Sequence, residues 1–209
     1  MIGPLRGTAQ EAGVEAMTVL LRRLREKIPA IAQRWLTEAL AAYPAQSAAA
    51  FRRETDRFAN PVGHALAAGT RAALEALLEG RDADEISACL EETIKIRAIQ
   101  EFQPSQALAF VFSLKEAIRA ELGREGNDPA LGPGLADLDK RIDQAALGAF
   151  DLYMRHRSRV YELRINEVKR NIAVIAERAG LGSLPPEPAE DVPQAGASEC
   201  AETQRGGRR

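Results

Sequence analysis

The chain has 209 residues, a formal net charge of −2, 45% apolar residues, 28% charged residues and only 5% aromatics. This is the composition of an ordinary globular domain long enough to bury a core, tilted towards helix by its alanine and leucine. The near-balanced charge gives no reason to expect nucleic acid or membrane insertion, and no segment approaches the ~20 apolar residues of a membrane span.

The first helix is expected near Gly13, after a flexible N-terminus of residues 1–12. Met17, Leu21, Leu24, Ile28, Ile31 and Trp35 recur at alternating steps of four and three, which places them on one stripe. Pro29 interrupts the stripe, because proline removes a donor and clashes with the preceding turn. A kink or break is expected at Lys27–Ile28, then a second helix with Trp35 and Leu40 that closes at Tyr43-Pro44. A short helix follows over residues 47–58. Asn60-Pro61 is a start signal, Asn as cap and Pro in the first turn. The helix it opens carries Val62, Leu66, Leu74 and Leu77 and stops at Gly80. Asp82 to Glu85 resembles a capping box opening a helix with Ile86, Leu90, Ile94 and Ile99. Pro104-Ser105 starts the most apolar helix, with Leu108, Val111, Phe112, Leu114 and Ile118, and residues 123–134 read as a loop. No strand pattern occurs.

From about Leu135 to Ala179 there is no proline, and Gly148 is the only glycine. A continuous helix here would be ~68 Å long, more than a ~30 Å core can cover. Its apolar residues fall in two registers. Leu138, Ile142, Ala145, Ala149 and Leu152 form one. Tyr161, Ile165, Val168, Ile172 and Ile175 form another with strict four-three spacing, so a shift is expected around residues 156–159. The first half is expected on the bundle. The second offers a heptad stripe to a partner, most simply a second copy, or folds back on its own bundle. Gly180-Leu181-Gly182 ends the helix, and residues 181–209 are expected to be a disordered tail.

No catalytic, phosphate-binding or metal motif is present, and an enzyme is not expected. Cys89 and Cys200 suit neither a metal site nor a disulfide, and with no signal-peptide stretch the protein reads as cytoplasmic. Cys89 borders a buried face and reads as an inert packed thiol. Arg155 to Arg170 is basic, read as a solvated flank of a pairing helix rather than a nucleic-acid or membrane surface. Arg97, set between Ile96 and Ile99, is expected to be buried and bonded to carbonyls or to Glu101. It is the first candidate for a small anionic ligand.

Three stretches together resemble a known family: Ile31 to Pro44 with Trp35, Arg57 to Gly63, and Ile96 to Gln100 continuing through Phe102 to Leu108 and Phe110 to Phe112. They are similar to the RsbT co-antagonist N-terminal domain of the RsbR/RsbRD type, over roughly residues 15 to 170. The resemblance implies an all-α, globin-like or related multi-helix bundle that usually lacks haem, dimerises, and signals through a long last helix into a STAS domain within the stressosome. The sequence departs from that pattern after the long helix, where a tail stands in place of a STAS domain. Stand-alone members beside sulfite-reduction genes suggest an alternative role as an accessory subunit of a membrane-associated redox complex. A globin-like fold also raises haem as a weaker alternative, with His64 and His156 the available ligands. His64 sits at a helix start and His156 among arginines, so no cofactor is expected. The expectation is a non-enzymatic regulatory domain acting as a homodimer with a protein partner. Trp35, Asn60, Pro61, Pro104 and Ser105 are expected to be structural.

Overall fold

The computed structural model describes residues 6–179 apart from Thr55, with side chains from Glu15 onwards. Among these residues every regular element is helical: α1 (Arg6–Glu26), α2 (Ile28–Leu40), α3 (Ala45–Arg53), α4 (Pro61–Glu79), α5 (Ala83–Ala88), α6 (Glu91–Ile99), α7 (Pro104–Leu122) and α8 (Gly132–Arg178). Two short 3-10 turns, Gly123–Asn127 and Pro129–Leu131, join α7 to α8. The chain divides into two units, Met1–Arg164 and Ile165–Arg209. The expected tail lies outside the described residues, as does Cys200.

The local signals act where they were expected. Pro29 stands in the first turn of α2, directly after the break from α1 at Lys27. Lys27 Nζ crosses to the Glu121 carbonyl at 2.8 Å, fastening that break to the end of α7. Asn60 caps α4 by accepting from the Gly63 N–H at 2.8 Å. Its amide donates to the carbonyls of Phe51 and Glu54, both at 2.7 Å, so one buried side chain ties the end of α3 to the start of α4. Gly63 must stay small, because a Cβ there would sit 2.6 Å from the Phe51 carbonyl. Gly80 ends α4 in the left-handed conformation, φ 86°, which glycine adopts without steric penalty. The Asp82–Glu85 capping box is complete in both directions.

Several boundaries differ. The first helix begins at Arg6, well before Gly13. The third ends at Arg53, since Glu54 is extended and Asp56 caps a turn by accepting from the Phe58 N–H. The single helix expected from Ile86 to Ile99 is two: Leu90 N–H bonds to the Ser87 carbonyl, tightening the chain at Cys89–Leu90 before α6 sets off. Ile86, Leu90 and Ile94 are buried, but Ile99 is exposed. In α7, Leu108, Val111, Leu114 and Ile118 are buried and Phe112 is not, because it falls ~40° past Leu108, beyond the edge of the buried face. Pro104 occupies the first turn of α7 as expected; Ser105 is exposed and Gln103, not Ser105, holds the cap position.

The core of the first unit is built on α2, which packs against both α4 and α7. The α8 helix enters it through Leu135, Leu138, Ile142, Ala145, Ala149, Leu152 and Tyr153, all buried. Gly148 permits its close approach to α5, where a Cβ would meet Ser87 Oγ at 2.8 Å. The last residue buried in α8 is Tyr153.

Candidate functional site

Two features stand out from ordinary packing: a buried arginine and an exposed apolar stripe. Arg97 lies on the last turn of α6 and is 0% exposed. Its two terminal nitrogens donate to the carbonyls of Ala107, at 2.8 Å, and Ala39, at 2.7 Å. Ala39 is in the last turn of α2, where carbonyls lack helical partners and the helix dipole favours a cation. Three rings surround the guanidinium: its carbon stands 4.5 Å from the centroid of Phe110, 5.5 Å from Tyr43 and 5.6 Å from Phe102. Cation–π contact of this kind is strongest when desolvated. Of the expected partners, the carbonyls are found and Glu101 is not; Glu101 pairs with Arg164 instead. Arg97 is thus a buried cation without a carboxylate, and its Nε has no acceptor. Burial holds its pKa below the usual arginine value, offset in part by the Tyr43 phenol.

Trp35 stands beside this node. It is buried, stacks on Phe110 at 6.2 Å between centroids, and donates from Nε1 to the Phe110 carbonyl at 2.6 Å. Tyr43 packs edge-on against Phe51, and its hydroxyl donates to Gln100 Oε1 at 3.1 Å. The resemblance segments around Trp35, Tyr43 and Phe102 to Phe110 therefore converge on one point, the Arg97 guanidinium.

The corner between α6 and α7 joins this node to α8. Glu101 holds a left-handed backbone, φ 64°, unusual for a residue with a side chain. The Phe102 carbonyl accepts from the Tyr153 hydroxyl at 2.6 Å, and the Ala98 carbonyl accepts from Arg157 Nη1 at 3.0 Å. Arg157 also lies over the Tyr161 ring, 4.7 Å from its centroid. Arg164 forms an ion pair with Glu101 and holds that carboxyl below the usual carboxylate range. His156 Nε2 stands 3.2 Å from Glu91 Oε1 without the alignment of a hydrogen bond. Sequence reasoning missed this corner. Its partners lie some 60 positions apart, and no local pattern pairs them.

From Leu147 onwards, α8 presents apolar side chains to solvent. In the first unit Leu147, Phe150, Met154 and Tyr161 are exposed. At ~100° per residue they fall in a ~60° sector of the helix, away from the face that enters the core. In the second unit Ile165, Val168, Ile172 and Ile175 are 53, 55, 48 and 66% exposed and fall in a sector of ~80°. The step from 161 to 165 is four, so the sequence period runs on across this stretch. Such a run of large exposed apolar residues exceeds the scattered ones of a monomeric surface.

The remaining candidates carry less. His64 is exposed at the first turn of α4 and lines an open groove of about 510 Å³ that also takes in Phe58 and Cys89. Cys89 is partly buried; its thiol donates to the Glu85 carbonyl, and burial raises its pKa. Among the described residues no group of three or more His, Cys, Asp or Glu stands where it could hold a metal ion, and no helix is long and apolar enough to cross a membrane.

The sequence profile described as "RsbT co-antagonist protein rsbRD N-terminal domain" matches residues 29–168, more than half of the chain. The match spans the Arg97 node, the α6–α7 corner and the stripe as far as Val168. No curated protein and no solved structure matches the chain.

Proposed function

The chain belongs to the family of RsbT co-antagonist rsbRD N-terminal domains, and from that premise we propose that it is a non-enzymatic regulatory domain that pairs with a second copy of itself along α8. The family is of a stressosome-type regulatory kind, which implies contact with other proteins. The observation that carries the pairing is the exposed stripe of Tyr161, Ile165, Val168, Ile172 and Ile175. Four-three spacing of β-branched residues suits a helix seam, where each side chain enters a hole on the facing helix. Two of the flanking cations are already engaged, Arg164 with Glu101 and Arg159 with Glu162. This fits the basic segment of α8 as the solvated edge of a seam rather than a nucleic-acid surface.

A signal would reach α8 through the α6–α7 corner. Phe102 supports this reading, because its ring packs on Arg97 while its carbonyl holds Tyr153. A displacement of Phe102 would be felt on α8 at the point where burial ends. Changes in helix packing of this kind are a common form of switching. Light scattering after size exclusion tests the pairing, and a chain that elutes as a monomer at micromolar concentration overturns it.

A further inference from the structure

A cleft of about 380 Å³ lies between the end of α2 and α7. Its floor is Ala39, Arg97 and Phe110, all buried; its walls include Ala42 and Ala109, both exposed, and Glu38 stands on its rim. The lining is mostly apolar, and the volume lies within the range of small-ligand sites. At the bottom is a cation with no countercharge. Buried charges are normally paired, because desolvating an unpaired ion is unfavourable by several kcal/mol. The two carbonyls and three rings lessen that penalty for Arg97 but carry no net negative charge. The Nε donor, left without an acceptor, is half of the fork that arginine uses to grip a carboxylate in two parallel bonds.

We propose that this cleft binds a short-chain monocarboxylate, its carboxylate on Arg97 and its hydrocarbon tail along Ala42, Ala109 and Phe110. A phosphate dianion fits less well. It needs more donors than one buried arginine supplies, and Glu38 repels a second negative charge. An apolar tail is favoured by walls made of methyl groups and one ring. Arg97 is closed off from solvent, so binding requires the cleft lining, which includes the exposed Gln106, to open. The site stands within the first unit and does not rest on the pairing of α8.

The test is isothermal titration of the full chain with sodium hexanoate, sodium acetate and sodium phosphate at matched ionic strength. Hexanoate is expected to give a saturable signal at one site per chain with submillimolar Kd, acetate to bind at least tenfold more weakly, and phosphate weaker still. Ala109→Leu, on the exposed wall, fills the cleft and is expected to weaken hexanoate tenfold or more with an unchanged circular dichroism spectrum and melting temperature. Glu38→Gln is expected to tighten hexanoate by severalfold. Arg97→Met adds a direct loss if it folds; the proposal stands on the other two variants if it does not. Absence of a saturable hexanoate signal at millimolar concentration, equal binding of phosphate and hexanoate, or hexanoate binding untouched by Ala109→Leu each overturns the assignment.

Discussion

Replacing Ile165 and Ile172 together by alanine isolates the pairing surface of α8. Both side chains are about half exposed, 53 and 48%. Burying an isoleucine fully stabilises by about 1.5–3 kcal/mol, so the half left to bury in a seam is worth about 1 kcal/mol per side chain. A pair of helices contains four such side chains. The double variant should therefore lose about 4 kcal/mol of association, roughly a thousandfold in Kd at ~1.4 kcal/mol per decade. The folded protomer should be unaffected, since neither residue contributes to the core and alanine is the better helix former. Sedimentation equilibrium over a micromolar concentration series measures the first quantity and thermal melting the second. Leu163→Ala is the control, because Leu163 is equally exposed but lies ~160° around the helix from the stripe. A double variant that associates as tightly as the parent, or a control that weakens association just as much, would refute the seam.

The cap at Asn60 offers a sharp stability test. Asn60→Asp keeps the acceptor for Gly63 but exchanges two donated bonds for a carboxylate facing the Phe51 and Glu54 carbonyls; a loss of about 2–3 kcal/mol in urea denaturation is expected. Gly63→Ala should destabilise as well, since its Cβ meets Phe51 backbone that cannot swing aside. Trp35→Phe removes the bond to the Phe110 carbonyl, yet that carbonyl keeps the Ser113 hydroxyl as a donor. The loss in the same assay should be about 1 kcal/mol for the bond, plus the lost packing of the larger ring. Alkylation of Cys89 by iodoacetamide near pH 8 should run slower than that of a free thiol, because burial raises its pKa and the thiolate is the nucleophile; mass mapping of the labelled peptide reads it. Glu101, whose folded pKa is lowered by Arg164, contributes stability that is present above the usual carboxylate pKa and lost as pH falls through the folded value. In a pH–stability curve Glu101→Gln should therefore lower the neutral plateau only slightly, as expected for an exposed pair, and converge with the parent as pH falls below about 4.5.

If the carboxylate cleft and the α8 seam are both occupied in one molecule, Phe102 is the residue through which they would communicate. Its ring and its carbonyl face different partners, Arg97 and Tyr153. Linkage then requires reciprocity: whatever hexanoate does to pairing, pairing must do to hexanoate affinity by the same factor.

The sequence by itself determined whatever depends on neighbours within a turn. Asn60-Pro61, Gly80 and the Asp82–Glu85 box act through hydrogen bonds or backbone angles three residues wide, and each behaves in the fold as its local pattern demands. The absence of proline between residues 134 and 179 was enough to run α8 unbroken, and four-three spacing was enough to mark the exposed stripe. Tertiary structure decided what requires a distant partner. The break at Cys89–Leu90 carries no proline or glycine, and arises where α5 and α6 both pack on α4. Arg97 was legible as a buried arginine, but its choice of the Ala39 and Ala107 carbonyls over Glu101, four residues away, was not. Glu101 turns outward on a left-handed backbone and meets Arg164, more than 60 positions along. The end of burial at Tyr153 is different: it falls three residues before the register change that the apolar pattern of α8 places around residues 156–159, so the sequence marked it approximately.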